Sequence, residues 1–531
     1  MRILRTPLAI FSLLALGAAP ARAELDFKWG GVIQSDMRYR LLADPQTIAY
    51  PSQMQLLRNG FSRNENLIKT QLSVGIGAKV KAVADVDLYM YGFSDTPDID
   101  SLTLHERLDP YRIEVNAAYI DIYKIAPGLD LRIGRQVVNW GTADQFNPTS
   151  NVNTLDFSDA LMFGKALANN MIRADWNPVG DWVFTGVFVP IFRPAMLPRT
   201  APIALLDPTR PLSVQDDAYF KAVYLLQHIY NVNRVDVTAL QPAPSIENAQ
   251  FAFRAAGRLG GQDMSVSWYH GRFGVPVPSA TTFDFKNGVA LVDVAFPRED
   301  VIGADIGGTI PKLGGMGYWV EGAVVIPQPV AFQLYEETQS GNRFDDRFHV
   351  NDKGVVVQDH ILVKPDGTYG APVTGVRPYV NTGTPYLKLT IGGDYSINEH
   401  IYLNVQYAHG FFDEFGTGLQ YRSDPSSPDG WRKEQRIGDY IIAGADMKFV
   451  SDTLKIRLFG VLKVPSVDLF HGFTFDEWKA TGVVYPQISY QVWDGTELAA
   501  GAFLFLGDHS TKFGDAAAGA SEVFFKARFQ Y

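Results

Sequence analysis

The feature that most constrains this chain is a two-residue alternation of apolar and polar side chains, which recurs along most of its length. In residues 68–76 the even-numbered positions are mostly apolar and the odd-numbered positions are mostly polar. The pattern returns in residues 80–91, 401–407 and 454–463. A period of two is the period of a β-strand, whose successive side chains point to opposite faces. We therefore expect an all-β fold.

The connections between these segments distinguish two architectures that share the alternation. In a soluble sandwich the apolar faces form a core, whereas in a transmembrane antiparallel β-barrel they face lipid. Short connections lie near 77–78, 126–129, 177–180, 259–262, 396–399, 451–453 and 493–496, and long ones near 43–62, 92–110, 139–167, 190–247, 326–384, 413–435 and 465–479. Short turns that alternate with long loops are typical of outer-membrane barrels. We expect about 18 strands, or 16 if the region 284–310 supplies no strand pair.

The first 23 residues have the features of a secretory signal peptide. Arg2 and Arg5 precede an apolar run in residues 8–16, and Ala21 and Ala23 form a small-residue cleavage pattern. We expect a single barrel domain over residues 24–531, located in the outer membrane of a Gram-negative bacterium.

Composition excludes several other classes of protein. The chain has 47 basic and 57 acidic residues, and loss of the first 23 residues would leave a net charge of −13. Nucleic-acid binding needs a concentrated basic surface, so we expect no nucleic-acid partner. The absence of cysteine excludes disulfide scaffolds and thiol catalysis. No later apolar run reaches the roughly 20 residues of a membrane helix.

The C-terminal ten residues form the most specific strand pattern. Phe525, Phe529 and Tyr531 lie on one face of an alternating segment that ends the chain. This resembles the terminal signal of outer-membrane proteins that the barrel-assembly machinery reads, although that signal usually ends in Phe. We therefore expect this machinery, outer-membrane lipid and lipopolysaccharide as partners.

A dense motif lies near the first quarter of the chain. Its members are Gly134, Arg135, Gln136, Trp140, Gly141, Asp144, Asn147 and Pro148. The motif resembles that of a family of Gram-negative, porin-like outer-membrane β-barrel proteins, which carry G-R-Q-x-x-x-W-G followed by N-P. The resemblance covers roughly residues 112–199. It implies a barrel and, for some members, movement of lipid-like or hydrophobic compounds.

Physically, the motif is a strand followed by a loop rich in amide side chains. Asn and Asp fold a loop through local side-chain-to-backbone hydrogen bonds. Such a loop is either stabilised by its own contacts, or it turns inward and contacts a solute. The charged side chains that could hold it in place are Arg135, Asp144, Arg173 and Asp175. By strand phase, Arg135 faces lipid unless a β-bulge intervenes.

Alternation also places charges of both signs on the face that would line the lumen. They are Lys79, Lys81, Asp85, Asp87, Lys455, Arg457, Lys463, Lys526 and Arg528. Closure of the barrel brings the first and last strands together, which predicts a basic stripe across the seam that faces Asp85 and Asp87. Such a stripe would favour anionic solutes, because lumen charges tune selectivity. The alternative is a solvated wall without selectivity.

The long segment 190–247 contains a helix candidate at residues 216–230. Its apolar positions indicate that it packs on another loop, plugs the lumen or presents a site for an apolar ligand.

These features predict a channel or transport protein for passive passage of a small, hydrophobic or amphipathic solute. The nine histidines are scattered without metal-binding spacing, so we expect no enzyme, metal or cofactor. One alternative is a membrane-embedded hydrolase: His409 has the lipid-facing phase, but no serine can be placed beside it. The other is a structural or binding barrel that transports nothing.

Overall fold

The chain is described by a computed structural model. It describes residues 25–41, 60–96, 98–144, 146–159, 164–178, 180–197, 234–284, 289–328, 330–331, 333–337, 343–350, 356–363, 369–373, 380–381, 385–412, 419–423, 431–435, 437–465, 480–507, 513–514 and 520–531. The helix candidate 216–230 lies outside these residues.

Eighteen strands form one closed sheet. They are β1 (Leu25–Leu41), β2 (Gly60–Ile76), β3 (Val80–Tyr91), β4 (Tyr111–Ala126), β5 (Leu129–Gln136), β6 (Asn169–Trp176), β7 (Val183–Val189), β9 (Gln250–Leu259), β10 (Gln262–Arg272), β13 (Arg298–Ile310), β14 (Met316–Pro327), β21 (Tyr386–Ser396), β22 (Ile401–Phe412), β25 (Ile437–Phe449), β26 (Leu454–Val464), β27 (Thr481–Trp493), β28 (Thr496–Leu506) and β29 (Ser521–Gln530).

The remaining elements lie in the long connections, except the 3-10 turn Pro311–Leu313, which lies in the short connection between β13 and β14. A seven-stranded sheet consists of β8 (Arg234–Leu240), β11 (Val277–Asp284), β12 (Val289–Ala295), β16 (Gln333–Glu337), β17 (Arg343–Val350), β18 (Val356–Val363) and β19 (Tyr369–Val373). Two strand pairs are β15 (Val330–Ala331) with β20 (Val380–Asn381), and β23 (Leu419–Ser423) with β24 (Trp431–Gln435). The helical turns are α1 (His105–Leu108) and the 3-10 turns Ser101–Thr103, Ile246–Asn248 and Pro311–Leu313. No helix of the described residues is long and apolar enough to cross a membrane.

The closed sheet is an antiparallel barrel in which each strand pairs with its neighbour along the chain. The seam closes between the first and last strands, with Val32 opposite Gln530 and Leu41 opposite Ser521. The prediction of about 18 antiparallel strands is confirmed. The uncertain region 284–310 divides between the two sheets: β13 enters the barrel, whereas β12 joins the seven-stranded sheet.

Strand pairing gives every barrel strand an outward and an inward face. On β13 and β14, for example, outward Ile302 is 54% exposed whereas inward Val325 is completely buried. The outward face is mainly apolar, which suits lipid. We call the two ends of the barrel the short-turn end, which includes turns 77–79 and 494–495, and the long-loop end.

The wall is not equally high all round. β5, β6 and β7 have only seven or eight residues, whereas β4 on one side has 16. The connection that leaves β5 at the top of this low section returns to β6, and it forms the candidate functional site.

Candidate functional site

The connection 137–168, which we call the inward loop, folds into the barrel in its described residues 137–144, 146–159 and 164–168. Its buried Val138, Trp140 and Val152 belong to a cluster with inward residues of seven neighbouring strands. The strand residues of this cluster are Met171, Val187, Val189, Ala252, Tyr269, Val301, Ala323, Val325 and Tyr386. The loop therefore fills the half of the lumen bounded by β6–β21, which we call the packed half.

The tip of the inward loop is fixed by the carboxylate of Glu321, an inward residue of β14. One carboxylate oxygen accepts hydrogen bonds from the backbone N–H groups of Thr142 and Ala143 at 2.9 and 3.0 Å. The other accepts the Thr149 N–H and hydroxyl, both at 2.8 Å. Gly141 makes room for this carboxylate, because a Cβ there would lie 2.3 Å from it. The tip of the loop therefore wraps around one buried acid.

Two further hydrogen bonds join the tip to the next strands. The hydroxyl of Thr390 on β21 donates to the carbonyl oxygen of Phe146 at 2.8 Å. The Gln406 side chain on β22 donates to the carbonyl oxygen of Asp144 at 2.6 Å. The inward loop therefore reaches from β5 to strands on the far side of the barrel.

The returning part of the loop is held by ion pairs on the other side. Asp159 accepts two hydrogen bonds from the Arg38 guanidinium, at 2.6 and 2.8 Å, and lies 3.1 Å from Arg63. Arg38 is 4% exposed and also binds Asp36. Lys165 pairs with Glu114 on β4 at 3.0 Å. These contacts fix the loop to β1, β2 and β4.

The remaining residues of the sequence motif form close backbone packing or local hydrogen bonds. Gly134 lies where a Cβ would meet the Ala118 carbonyl oxygen at 2.3 Å. The Gln136 side chain donates to the Met171 carbonyl at 3.2 Å, and the Gln136 backbone carbonyl accepts from the Asn153 side chain at 3.2 Å. Within the tip, the Asn147 amide donates to the Ala143 carbonyl, and the Pro148 carbonyl accepts from Asn151. Local amide hydrogen bonds thus shape the loop.

Of the four charged side chains predicted to hold the loop, Asp144 accepts a hydrogen bond from the Asn404 side chain on β22 at 3.4 Å, whereas the prediction is wrong for the other three. Arg135 continues the outward face and donates to the Val115 carbonyl oxygen on β4 at 2.6 Å. Arg173 and Asp175 pair with each other on β6 at 2.9 Å. Glu321 and Arg38 serve as anchors instead. Sequence reasoning missed both, because each reads as an ordinary inward residue of a strand.

A continuous line of aromatic side chains runs from β27–β29 over Phe513 of the β28–β29 connection to β25, the inward loop and β22. We call it the aromatic row: Phe524, Tyr485, Phe503, Phe505, Phe513, Tyr440, Phe146 and Phe411. Consecutive ring centroids are 5.1–6.4 Å apart. Tyr485, Phe503 and Phe505 remain partly exposed. Phe524, Tyr440 and Phe146 are buried, so the apolar surface that the row offers inside the barrel centres on Tyr485, Phe503 and Phe505.

Paired charges lie beside the aromatic row, on β29 and β1–β3. Lys526 lies 3.7 Å from Asp36, and its ammonium lies 4.9 Å from the Phe524 ring centroid. Lys69 lies 3.1 Å from Asp85 and 3.8 Å from Asp87. The lumen thus has an aromatic surface next to a strip of both charges, rather than a purely basic stripe.

The other predicted lumen charges divide into three groups. Arg457 faces inward and forms a two-point ion pair with Asp446, with both N–O distances 2.7 Å. Lys81, Lys455, Lys463 and Arg528 are also on inward faces; Lys81, Lys455 and Arg528 lie near the short-turn end. Lys79 is the exception, because it belongs to the turn 77–79 instead of to a strand, and it is exposed at the rim.

The terminal aromatic residues face outward, as the alternation predicts. Phe525 and Phe529 are 44% and 45% exposed, and Tyr531 stacks on Phe529 with ring centroids 6.4 Å apart. Tyr531 also exchanges two backbone hydrogen bonds with Gly31 on β1. The end of the chain therefore completes the seam.

His409 is buried and hydrogen-bonds Asp439 at 2.7 Å; the Tyr407 hydroxyl donates to the other oxygen of Asp439 at 3.1 Å.

No protein-family model and no curated protein matches the sequence. Among solved structures, the chain is similar to Acinetobacter baumannii OccAB1, with 8% identity, a TM-score of 0.46, and 95% of this chain and 96% of that chain covered. It is also similar to Pseudomonas aeruginosa OpdK, with 10% identity, a TM-score of 0.43 and 95% and 99% coverage. It is similar as well to Salmonella typhi OmpF, with 8% identity, a TM-score of 0.38, and 96% of this chain and 98% of that chain covered.

An even number of antiparallel strands, an apolar outer face, short turns at one end and long loops at the other are the features of porin-like outer-membrane barrels. The described chain has this fold.

Proposed function

We propose that the protein is a passive outer-membrane channel for a small amphipathic solute. The observation that carries the proposal is the division of the lumen wall into an aromatic row and an adjacent strip of paired charges. An amphipathic molecule can slide its apolar part along the rings while its polar head exchanges hydrogen bonds with the charged strip. A purely hydrophilic solute gains nothing from the rings.

The inward loop supports this function because it narrows the lumen. A barrel of 18 strands is too wide for wall side chains alone to fill. The loop occupies the packed half and leaves the solute beside the aromatic row. Several anchors on different strands hold the loop, so the remaining passage has a fixed shape.

The channel is tested by single-channel recording of the purified barrel in planar bilayers. The amphipathic preference is tested by reversal potentials with hexanesulfonate against gluconate, two anions of which only the first has an alkyl tail. We expect a higher permeability ratio for hexanesulfonate in the wild type. Replacement of Phe503 and Phe505 by Ser should lower that ratio, whereas Ser489→Ala, on the inward face of β27, should leave it unchanged.

The outcomes separate the parts of the proposal. Absence of conductance by correctly folded protein would favour a structural or binding barrel. Conductance with equal ratios in the wild type and the aromatic variant would refute the amphipathic solute while leaving the channel in place.

A further inference from the structure

Two arginines face outward at the long-loop end of the wall. Arg272 on β10 and Arg298 on β13 are direct cross-strand partners. Further down the same face, Val266 and Ile302 are 57% and 54% exposed and form part of the apolar band. Both arginines therefore lie at the rim, where the hydrocarbon layer gives way to the head groups of a membrane.

The two guanidinium groups converge on a single neutral acceptor. The Nη2 atoms of Arg272 and Arg298 donate to Oδ1 of Asn248, at 2.6 and 3.0 Å. Arg272 also donates to the backbone carbonyl of Phe296 at 2.7 Å, and Arg298 donates to the backbone carbonyl of Glu247 and to a ring nitrogen of His270. Nε of Arg272 is buried and has no hydrogen-bond partner. In the part of the chain that the structure describes, neither arginine has an ion pair with a carboxylate.

The outward acid Asp300, two residues from Arg298 on β13, forms its hydrogen bonds with other side chains. Asp300 is engaged by the Nδ1 atom of His270 at 3.0 Å and by the indole N–H of Trp268 at 3.1 Å. The Nε2 atom of His270 faces Arg298 at 3.4 Å. Like charges directly opposite each other destabilise a strand pair. An anion between the two arginines would remove this repulsion.

We propose that Arg272 and Arg298 bind a phosphate monoester on a lipid of the outer leaflet, of the kind that lipid A carries. Guanidinium groups bind phosphate through paired N–H donors, and they lose less hydration than ammonium groups. The site sits beside Trp268, whose indole suits the interface between hydrocarbon and water. This inference rests on the proposed outer-membrane location, and it does not depend on whether the barrel conducts.

The test uses the full-length barrel in nanodiscs of phosphatidylcholine, with bound lipid counted by native mass spectrometry. One arm adds bisphosphorylated lipid A, a second adds dephosphorylated lipid A, and a third supplies inorganic phosphate alone. The variant is Arg272→Gln with Arg298→Gln. The matched control is Arg258→Gln with Lys312→Gln, which removes the same charge at the short-turn end.

We expect the wild type and the control to retain bisphosphorylated lipid A, with an affinity about tenfold higher than that of the variant. Dephosphorylated lipid A should bind all three proteins weakly. Heat-modifiability on gels should show that the variant forms a folded barrel, because replacement of the two arginines removes the repulsion between their charges. The site would be overturned if the wild type and the folded variant retained lipid A equally, or if the wild type did not prefer the phosphorylated lipid. Binding of inorganic phosphate alone would also overturn it.

Discussion

The aromatic ring of Tyr531 lies against Gly31, so that a Cβ at Gly31 would come within 2.5 Å of the tyrosine hydroxyl. The same Cβ would lie 2.1 Å from the carbonyl oxygen of Lys69. Because Gly31 has no side chain, the hydroxyl reaches across β1 and donates to that carbonyl on β2 at 3.3 Å. The last residue of the chain therefore contacts both strands on the far side of the seam.

Replacement of Gly31 by Val should destabilise the seam. The new side chain must displace both the tyrosine ring and the neighbouring backbone, and overpacking of this kind costs typically about 1–3 kcal/mol. We expect a lower temperature for conversion of the folded band to the unfolded band on gels. Gly75→Ala is the control, since its Cβ meets only ordinary contacts at 3.4 Å or more. Equal thermal stability of the two variants would contradict this account.

Deletion of Phe529–Tyr531 should prevent assembly. It removes the pairing of β29 with Val32 and Ile33 and leaves the strand edge unpaired in lipid, where each unsatisfied backbone group costs several kcal/mol. The truncated protein should be absent from outer-membrane fractions and be degraded or accumulate in the periplasm. Tyr531→Phe should assemble normally and lose only about 1 kcal/mol. Wild-type outer-membrane levels of the truncated protein would refute the role of this segment.

Replacement of Ile456 by Arg should test the strand register. Ile456 faces outward close to the short-turn end of β26, so a charge there should cost less than the roughly 2–4 kcal/mol of the bilayer midplane and more than the same change on the inward face. Lys455→Arg, one residue away on the inward face, should be nearly silent. The free energy of unfolding in lipid vesicles, measured by urea titration, distinguishes the two. Similar values for both variants would show that the faces are assigned wrongly.

Replacement of Glu321 by Gln should loosen the inward loop. The amide nitrogen of Gln would face backbone N–H donors, and each buried donor left unsatisfied costs about 1–3 kcal/mol. We expect a higher and noisier single-channel conductance, because the loop tip no longer holds its position. Asp263→Asn, an exposed inward change at the short-turn end, should leave the recordings unchanged. An unaltered conductance for the Glu321 variant would mean that the loop does not control the passage.

Reversal of Lys448 and Lys455 to Glu should shift selectivity toward cations. These lysines are directly opposite each other on inward faces near the short-turn end. Reversal of Arg457 should have a smaller effect, because Asp446 already pairs with it. The shift in reversal potential should be greater in dilute salt, where charges are screened less. An unchanged potential with intact conductance would place both lysines outside the permeation path.

The sequence predicts the barrel well because its alternation is tied to strand pairing. The faces of Lys69, Asp85 and Ile456 follow directly from the period of two. Lys79 was misplaced because a three-residue turn displaces it from the strand, and alternation contains no information about where a strand begins. Boundaries of this kind depend on the hydrogen bonds of neighbouring strands.

The sequence of β14 alone could also have indicated that part of the lumen is packed with side chains instead of filled with water. On β14 both faces are largely apolar, although an inward face that lines water should be polar. Glu321 interrupts the inward face among Trp319, Ala323 and Val325, which signals a buried acid with partners elsewhere in the chain. The identity of those partners could not be inferred, because Thr142 and Thr149 are about 180 residues away and only the fold brings them together.

The anchoring of the inward loop by Glu321 has a consequence for the order of folding. Residues 137–168 are made early in the chain, yet their docking surface includes β14, β21 and β22, which are made much later. The loop tip can settle only after these strands have joined the wall, so ordering of the passage is a late step of assembly. We therefore expect the passage to be wider until the loop tip has docked on these strands.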